Sequence, residues 1–289
     1  MTLPAQAAAV IIAALIAGAI GVWTSRYTIR KSLGHQQVQL FNQRFSTAAD
    51  KLGHEQAATR LAGLYALAGL ADDWKEQRQM CIDVLCSYLR LPYEPDPSSS
   101  NYRRGEREVR RTMIRVIRDH LRPGFSLESW ANCNFSFEGA TFDCGDLTGA
   151  RFTGGNVSFH EALFVSGTFH FSRVVFSGAN VWFTRAKFAG ANVKFDDSRF
   201  LSGDVTFEGA TCTRGIVSFK NVTIAPECIV TGDPLSRLAK PAGSAGSRRG
   251  SFWRPLAQRE GDHDYALPFG ASLTERPTHS RPPVPSGRS

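Results

Sequence analysis

No two of the six cysteines stand in a Cys-x-x-Cys spacing, and no histidine clusters beside Cys81, Cys86, Cys133, Cys144, Cys212 or Cys228. That scatter argues against a zinc site and against a dense disulfide framework. It leaves the six as small buried hydrophobes or surface thiols. The sequence also lacks a Gly-rich phosphate loop, an HExxH pair and a GxSxG elbow. His35, His54, His120, His160 and His170 are isolated from one another, and lone histidines are more often packed or surface residues than catalysts. No catalytic residue, no metal ligand, no cofactor site and no small-molecule substrate is expected.

Long apolar runs are missing too, with one exception. From Leu3 to Trp23 there is no charged residue, and Ala, Val, Ile, Leu and Gly fill nearly every position. Roughly 20 such residues at about 1.5 Å rise each cross a hydrocarbon core of about 30 Å. A cleaved signal peptide carries positive charge before a shorter apolar stretch. Here Arg26, Arg30 and Lys31 follow the run instead. The positive-inside tendency then leaves the bulk of the chain in the cytoplasm, with Trp23 and Tyr27 as interfacial anchors. Residues 1–33 are expected to be a single-pass transmembrane anchor in the cell membrane with a basic juxtamembrane segment.

A helical domain is expected over 34–122. Leu40, Phe41, Phe45, Ala48 and Leu52 recur at helical spacing before Gly53. A second helix, about Gln56–Leu70, carries Leu61, Leu64, Tyr65 and Leu67 on its apolar side. Asp72 and Asp73 supply an N-terminal cap for a third helix, about Trp74–Leu91, with Met80, Ile82, Val84, Leu85, Tyr88 and Leu89 facing the core. Pro92, Pro95 and Pro97 end it. A fourth, about Gly105–Leu121, sets Val109, Met113, Ile114, Val116, Ile117 and Leu121 against a basic face of Arg107, Arg110, Arg111, Arg115 and Arg118. Residues 231–289 turn to Gly, Ser, Pro and Arg, a composition that buries too little to offset ordering, and are expected to be a disordered tail.

The densest signal lies in 131–230. Phe137, Phe142, Leu147, Phe152 and Val157 recur every five residues, and a twelve-residue frame then takes over. Its first slot holds Leu147, Phe159, Phe171, Phe183, Phe195, Phe207 and Phe219. Five residues on come Phe152, Phe164, Phe176, Phe188, Phe200, Cys212 and Ile224. Ten residues on come Val157, Phe169, Val181, Val193, Val205, Val217 and Ile229. A small or β-branched residue, usually Ala, lies two before each second slot, and Gly, Ser or Ala follow it. Neither a helix nor a simple strand has spacings of five, five and two. A coil whose bulky residues point inward and stack on those of the next coil does, and neighbouring coils must then cover each other's interior. Each buried Phe contributes about 1.5–3 kcal/mol. The ladder is assigned to Phe152, Phe159, Phe164, Phe171, Phe176, Phe183, Phe188, Phe195, Phe200, Phe207 and Phe219. One coil per twelve residues and one per two units are both open.

Ala140-Thr-Phe142, Gly145-Asp-Leu147 and Ala150-Arg-Phe152 resemble the units of pentapeptide-repeat proteins. The resemblance implies a right-handed, four-sided β-helix, although the family's regular coil has four units of five and this frame breaks phase. Arg44–Gly53 followed by Arg60-Leu61-Ala-Gly-Leu64-Tyr65-Ala66-Leu67 is similar to a segment upstream of such repeats in bacterial membrane proteins, especially actinobacterial ones, and to one unit of a HEAT-like helix pair. The fold class expected is therefore α+β: a transmembrane helix, a small α-helical domain, then a right-handed β-solenoid. Some members of the resembled family imitate duplex DNA to shield a topoisomerase. That needs a strongly acidic surface, whereas 131–230 holds nine acidic and eight basic residues, so no nucleic acid enters the picture. The residue after the first slot of successive units (His160, Ser172, Thr184, Asp196, Glu208, Lys220) forms no uniform ladder either. What remains is a non-catalytic membrane-anchored scaffold with an unknown protein partner, or a membrane-linked sensor or signalling accessory acting through the helices.

Overall fold

The computed structural model describes residues 36–232 and a strand at 251–253. The apolar run Leu3–Trp23 and most of 231–289 lie outside the described residues. Among the described residues no helix is long and apolar enough to cross a membrane.

Four helices come first: α1 over residues 36–52, α2 Ala57–Asp73, α3 Arg78–Arg90 and α4 Glu106–Leu121. Phe41, Ala48 and Leu52 of α1 are buried, and Phe41 meets Trp74 edge-on at 5.8 Å. The two helices α1 and α2 approach closely because position 63 is glycine. A Cβ there would lie 2.5 Å from the Leu52 nitrogen and 2.7 Å from the Ala48 carbonyl oxygen. The third helix starts later than its apolar pattern suggests. Asp72 and Asp73 belong to the end of α2, a 3-10 turn Lys75–Gln77 follows, and α3 is preceded by Gln77. Its apolar set is not wholly interior, since Met80 is 46% exposed; nor is that of α2, where Tyr65 is 52% exposed. All six apolar residues expected on the core face of α4 are buried. Arg110, expected on its basic face, is buried with them.

The chain then winds into a β-solenoid of about four turns, built from short parallel strands. The register fixes the coil. Val157 pairs with Val181 and Val181 with Val205, Phe164 with Phe188 and Phe188 with Cys212. Phe169 pairs with Val193, and Phe152 with Phe176 and then Phe200. Each step is 24 residues, so one coil takes two twelve-residue units and has four faces. The first step is shorter, Phe142 pairing with Phe164, because Leu147 follows Phe142 by five residues where later units spend seven. The last is longer. Val205 pairs with Val230, so the inward slot given to Ile229 by counting belongs to Val230, and Ile229 is 61% exposed. One added residue around the Ala225–Cys228 turn shifts the strand, and in a strand a one-residue shift swaps faces.

Two kinds of corner alternate. After the first slot comes a tight turn closed by a hydrogen bond from the fourth residue's N–H to the first residue's carbonyl, as from Ala162 to Phe159 (3.1 Å) and Ala186 to Phe183 (3.0 Å). The fourth residue points inward at a narrow place: Ala150, Ala162, Val174, Ala186 and Ser198 are all fully buried. The third residue has positive φ, at Glu161, Arg173, Arg185, Asp197 and Asn221 as well as at glycines. The other corner passes one coil's backbone close to the next: at Gly203 (φ +90°) a Cβ would lie 2.3 Å from the Ala179 carbonyl oxygen. In the long strands Lys187–Lys194, Arg199–Thr206 and Thr211–Phe219 the chain runs through this corner without leaving the sheet. Ser251–Trp253, within the segment expected to be a tail, adds an antiparallel strand to Val217–Phe219.

All eleven ladder phenylalanines are buried. Phe159, Phe183 and Phe207 stack at 4.8 and 4.7 Å, with planes 1° and 6° apart. Phe171, Phe195 and Phe219 stack at 4.7 and 5.0 Å. The two columns meet edge-on: Phe183 lies 5.5 Å from Phe171 and 5.4 Å from Phe195, at 83° and 82°. Offset and edge arrangements of this kind add about 0.5–1.5 kcal/mol per pair beyond burial.

Candidate functional surface

The coil interior is filled by the rings and by Ala, Val and Ser, so among the described residues the candidate surfaces are the outside of the coil and the junction with the helices. The cysteines do not change this. Burial pushes Cys81 up to about 11 and Cys86 up to about 12, and it raises Cys133, Cys144 and Cys228 as well. Thiols so placed stay protonated near neutrality and are poor nucleophiles. Among the described residues no three His, Cys, Asp or Glu side chains are arranged to hold a metal ion.

The junction is a polar network with a structural purpose. Arg60, from the segment similar to a HEAT-like unit, is fully buried; its guanidinium lies 3.3 Å from Glu106 and donates to the carbonyls of His54 and Glu55. Tyr88 donates to Glu106 at 2.9 Å, and burial followed by that carboxylate raises its phenol. Arg110 donates to the carbonyls of Leu89 and Thr141, tying α3, α4 and the first coil together, and its own pKa is lowered by burial. Nearby, Asp143 of the first coil accepts from Tyr93 (3.0 Å) and pairs with Arg107 (2.7 Å). A second tie runs through Asp72, expected to be a helix cap. It accepts from Trp130 Nε1 at 3.0 Å and lies 3.0 Å from His120, whose ring stacks on Trp130 at 3.9 Å. Arg118 of α4 pairs with Asp146. The helices therefore cap the first coil and cover its interior. These are clamps between elements far apart in sequence.

On the outer surface, the residues that follow the first slot sit at the tight corners in two columns. His160, Thr184 and Glu208 line one edge, Ser172, Asp196 and Lys220 the opposite one, with no repeated chemistry. Between corners Asn180 donates to Asn156, and Asn134 accepts from the Asn156 N–H, a short asparagine ladder.

One face departs from this mixed character. Arg151, Val175 and Arg199 are in register on three successive coils, and Arg173 projects from the adjoining corner. Coils stack about 4.8 Å apart, which sets Arg151 and Arg199 about 10 Å from each other. Arg122, at the end of α4, reaches over Gly149 and stacks its guanidinium on Phe125 at 3.8 Å. Together they line a groove of about 460 Å³ floored by Val175. Its single acidic side chain, Asp197, accepts a hydrogen bond from Asn221. None of the four arginines has an ion-pair partner among the described residues. Such a set of groups suits anions, since guanidinium forks match carboxylate and phosphate oxygens. Sequence reasoning missed it because Arg122 and Arg173 share no frame position with each other or with Arg151 and Arg199. A column of frame position against coil number, at a period of 24, brings out only two of them.

Residues 171–223 match the family model described as pentapeptide repeats (9 copies). No curated protein and no solved structure matches the chain. The chain is thus a repeat protein: a small helical cap followed by a four-sided β-solenoid that carries pentapeptide repeats, a fold generally without enzymatic activity.

Proposed function

We propose that the chain is a non-catalytic, membrane-anchored interaction protein that presents its solenoid on the cytoplasmic side of the cell membrane. The observation that carries the interaction role is the arginine groove, a built surface with unpaired charge on an otherwise mixed exterior. The sealed ring-filled interior supports a non-catalytic role, and the uncharged run Leu3–Trp23 followed by Arg26, Arg30 and Lys31 supports the anchor and its orientation. Deleting residues 3–23 and fractionating cells tests the anchor: release into the soluble fraction is expected, and retention on membranes refutes it. Affinity capture of the tagged full-length chain, with and without residues 131–230, tests the solenoid as the binding surface; partners kept after the deletion overturn it. A second reading, a sensor or signalling accessory working through the helices, is favoured by the groove between α1 and α2, where Leu40 and Tyr65 stay exposed. Partners retained by the deleted chain and lost on Tyr65→Glu would select it.

A further inference from the structure

The arginine groove has a neighbour that says what it meets. The loop after α4 carries Phe125, which lines the groove and is 61% exposed, and Leu127, which is fully exposed. Two large apolar side chains exposed on one loop beside a groove form a small apolar patch of the kind that contact sites carry. Beside it stand four arginines without an ion-pair partner among the described residues. Apolar tips next to clustered guanidiniums suit the boundary between acyl chains and anionic headgroups, where the tips bury and the charges meet phosphates.

The position of the chain's entry points the same way. Phe41 and Arg44 of α1 pack on Trp74, at 5.8 and 5.6 Å. The next residue, Lys75, pairs with Glu128 of the loop at 3.2 Å, and Arg78 pairs with the same carboxylate at 2.8 Å. So this part of α1, which residues 1–35 precede, lies on the side of the helical cap that holds Phe125 and Leu127. A chain anchored through Leu3–Trp23 would carry that loop towards the bilayer it is anchored in.

We propose that Phe125 and Leu127 dip into the membrane interface while Arg122, Arg151, Arg173 and Arg199 bind anionic lipid headgroups, so that the solenoid is held against the bilayer rather than hanging free. The inference rests on the anchored reading of the N-terminus and adds a second contact to it. Mobile basic residues near an anionic surface each contribute about fivefold to association, which makes the contact dependent on lipid charge and on salt.

The test uses the full chain with the photo-crosslinker benzoylphenylalanine at position 127 in place of Leu127, reconstituted in vesicles of phosphatidylcholine alone or with phosphatidylglycerol. Lipid adducts at position 127 are expected in the anionic vesicles. They should fall several-fold in neutral vesicles, at high salt, and in the R151E/R173E/R199E variant. The salt series needs no variant, so a charge reversal that fails to fold leaves the test intact. Equal adduct yield in both vesicle types, or no lipid adduct in either, overturns the proposal; so does an adduct that forms only with an acidic protein supplied from a membrane extract. Carbonate extraction of the same vesicles reads the anchor separately: a chain that washes off refutes the anchored reading, whereas a chain that stays while position 127 makes no lipid adduct refutes only the docking.

Discussion

Phe183→Ala is the perturbation that probes the solenoid most directly. Phe183 is fully buried and touches four rings: Phe159 and Phe207 stacked at 4.8 and 4.7 Å, Phe171 and Phe195 edge-on at 5.5 and 5.4 Å. Removing it deletes the transfer free energy of a benzyl group and leaves a hole that rigid coils above and below cannot close. Core Phe→Ala changes cost about 3–5 kcal/mol, and with four aromatic partners lost the upper half of that range is expected. Against a total stability of about 5–15 kcal/mol this is a large fraction. At about 2–4 °C per kcal/mol it lowers the melting temperature by roughly 10 °C or more. Because each coil is stabilised by its neighbours, the gap should also let the coils on either side of it separate. Far-ultraviolet circular dichroism of the detergent-solubilised chain, melted beside Thr184→Asp on the adjacent corner, measures it. The control should move by no more than about 0.5 kcal/mol. If Phe183→Ala and Thr184→Asp melt alike, the stacked-ring account of the repeat is wrong.

Other perturbations separate the remaining forces. Glu106→Ala leaves Arg60 and Arg110 buried without their carboxylate and should cost about 3–5 kcal/mol in denaturant melts, with no cost beyond surface level refuting the clamp. At Arg185 (φ 58°) a left-handed side chain costs about 1–2 kcal/mol, and glycine gives back about 0.5–1 in unfolded-chain entropy. Allowing for the exposed pair with Glu161, Arg185→Gly should raise stability by about 0.5 kcal/mol, and a lower melting temperature would contradict the strain. Burial pushes the half-buried Asp146 carboxyl up, but Thr148 and Arg118 outweigh it and the net pKa lies below the usual carboxylate range. Its contribution is therefore present above the unfolded value of about 3.9 and is lost as pH falls through the lower folded one. Melts between pH 5 and 2.5 should show a shallower acid limb for Asp146→Asn than for the parent chain.

How far the chain's own letters carry depends on the element. Phe159, Phe171 and Phe183 announce themselves because an inward slot must be bulky and apolar in every coil, so the constraint repeats in the sequence at the coil's own rhythm. The same holds for the Ala or Val before each second slot and for the core stripe of α4. Three of the expectations from pattern that the fold overturned show why. Ile229 yields its slot to Val230 because a one-residue insertion in a turn is invisible to a fixed frame yet flips every side chain beyond it. Asp72 reads as a cap because the acid precedes an apolar run, while its partners Trp130 and His120 lie about fifty residues away. Arg110 reads as a solvated cation because burial of a charge depends on carbonyls from other elements, here Leu89 and Thr141.

Local periodicity alone was enough to specify a coil, its inward residues and its corners, since each of those obeys a rule that neighbours along the chain must satisfy together. The number of faces, the 24-residue turn and the grouping of Arg122, Arg151, Arg173 and Arg199 on one face came only with the folded chain. No spacing along the backbone brings all four positions together. Winding does, by setting residues from separate coils and from a helix end side by side, and it is that juxtaposition, not any one of them, that gathers four guanidiniums around one groove.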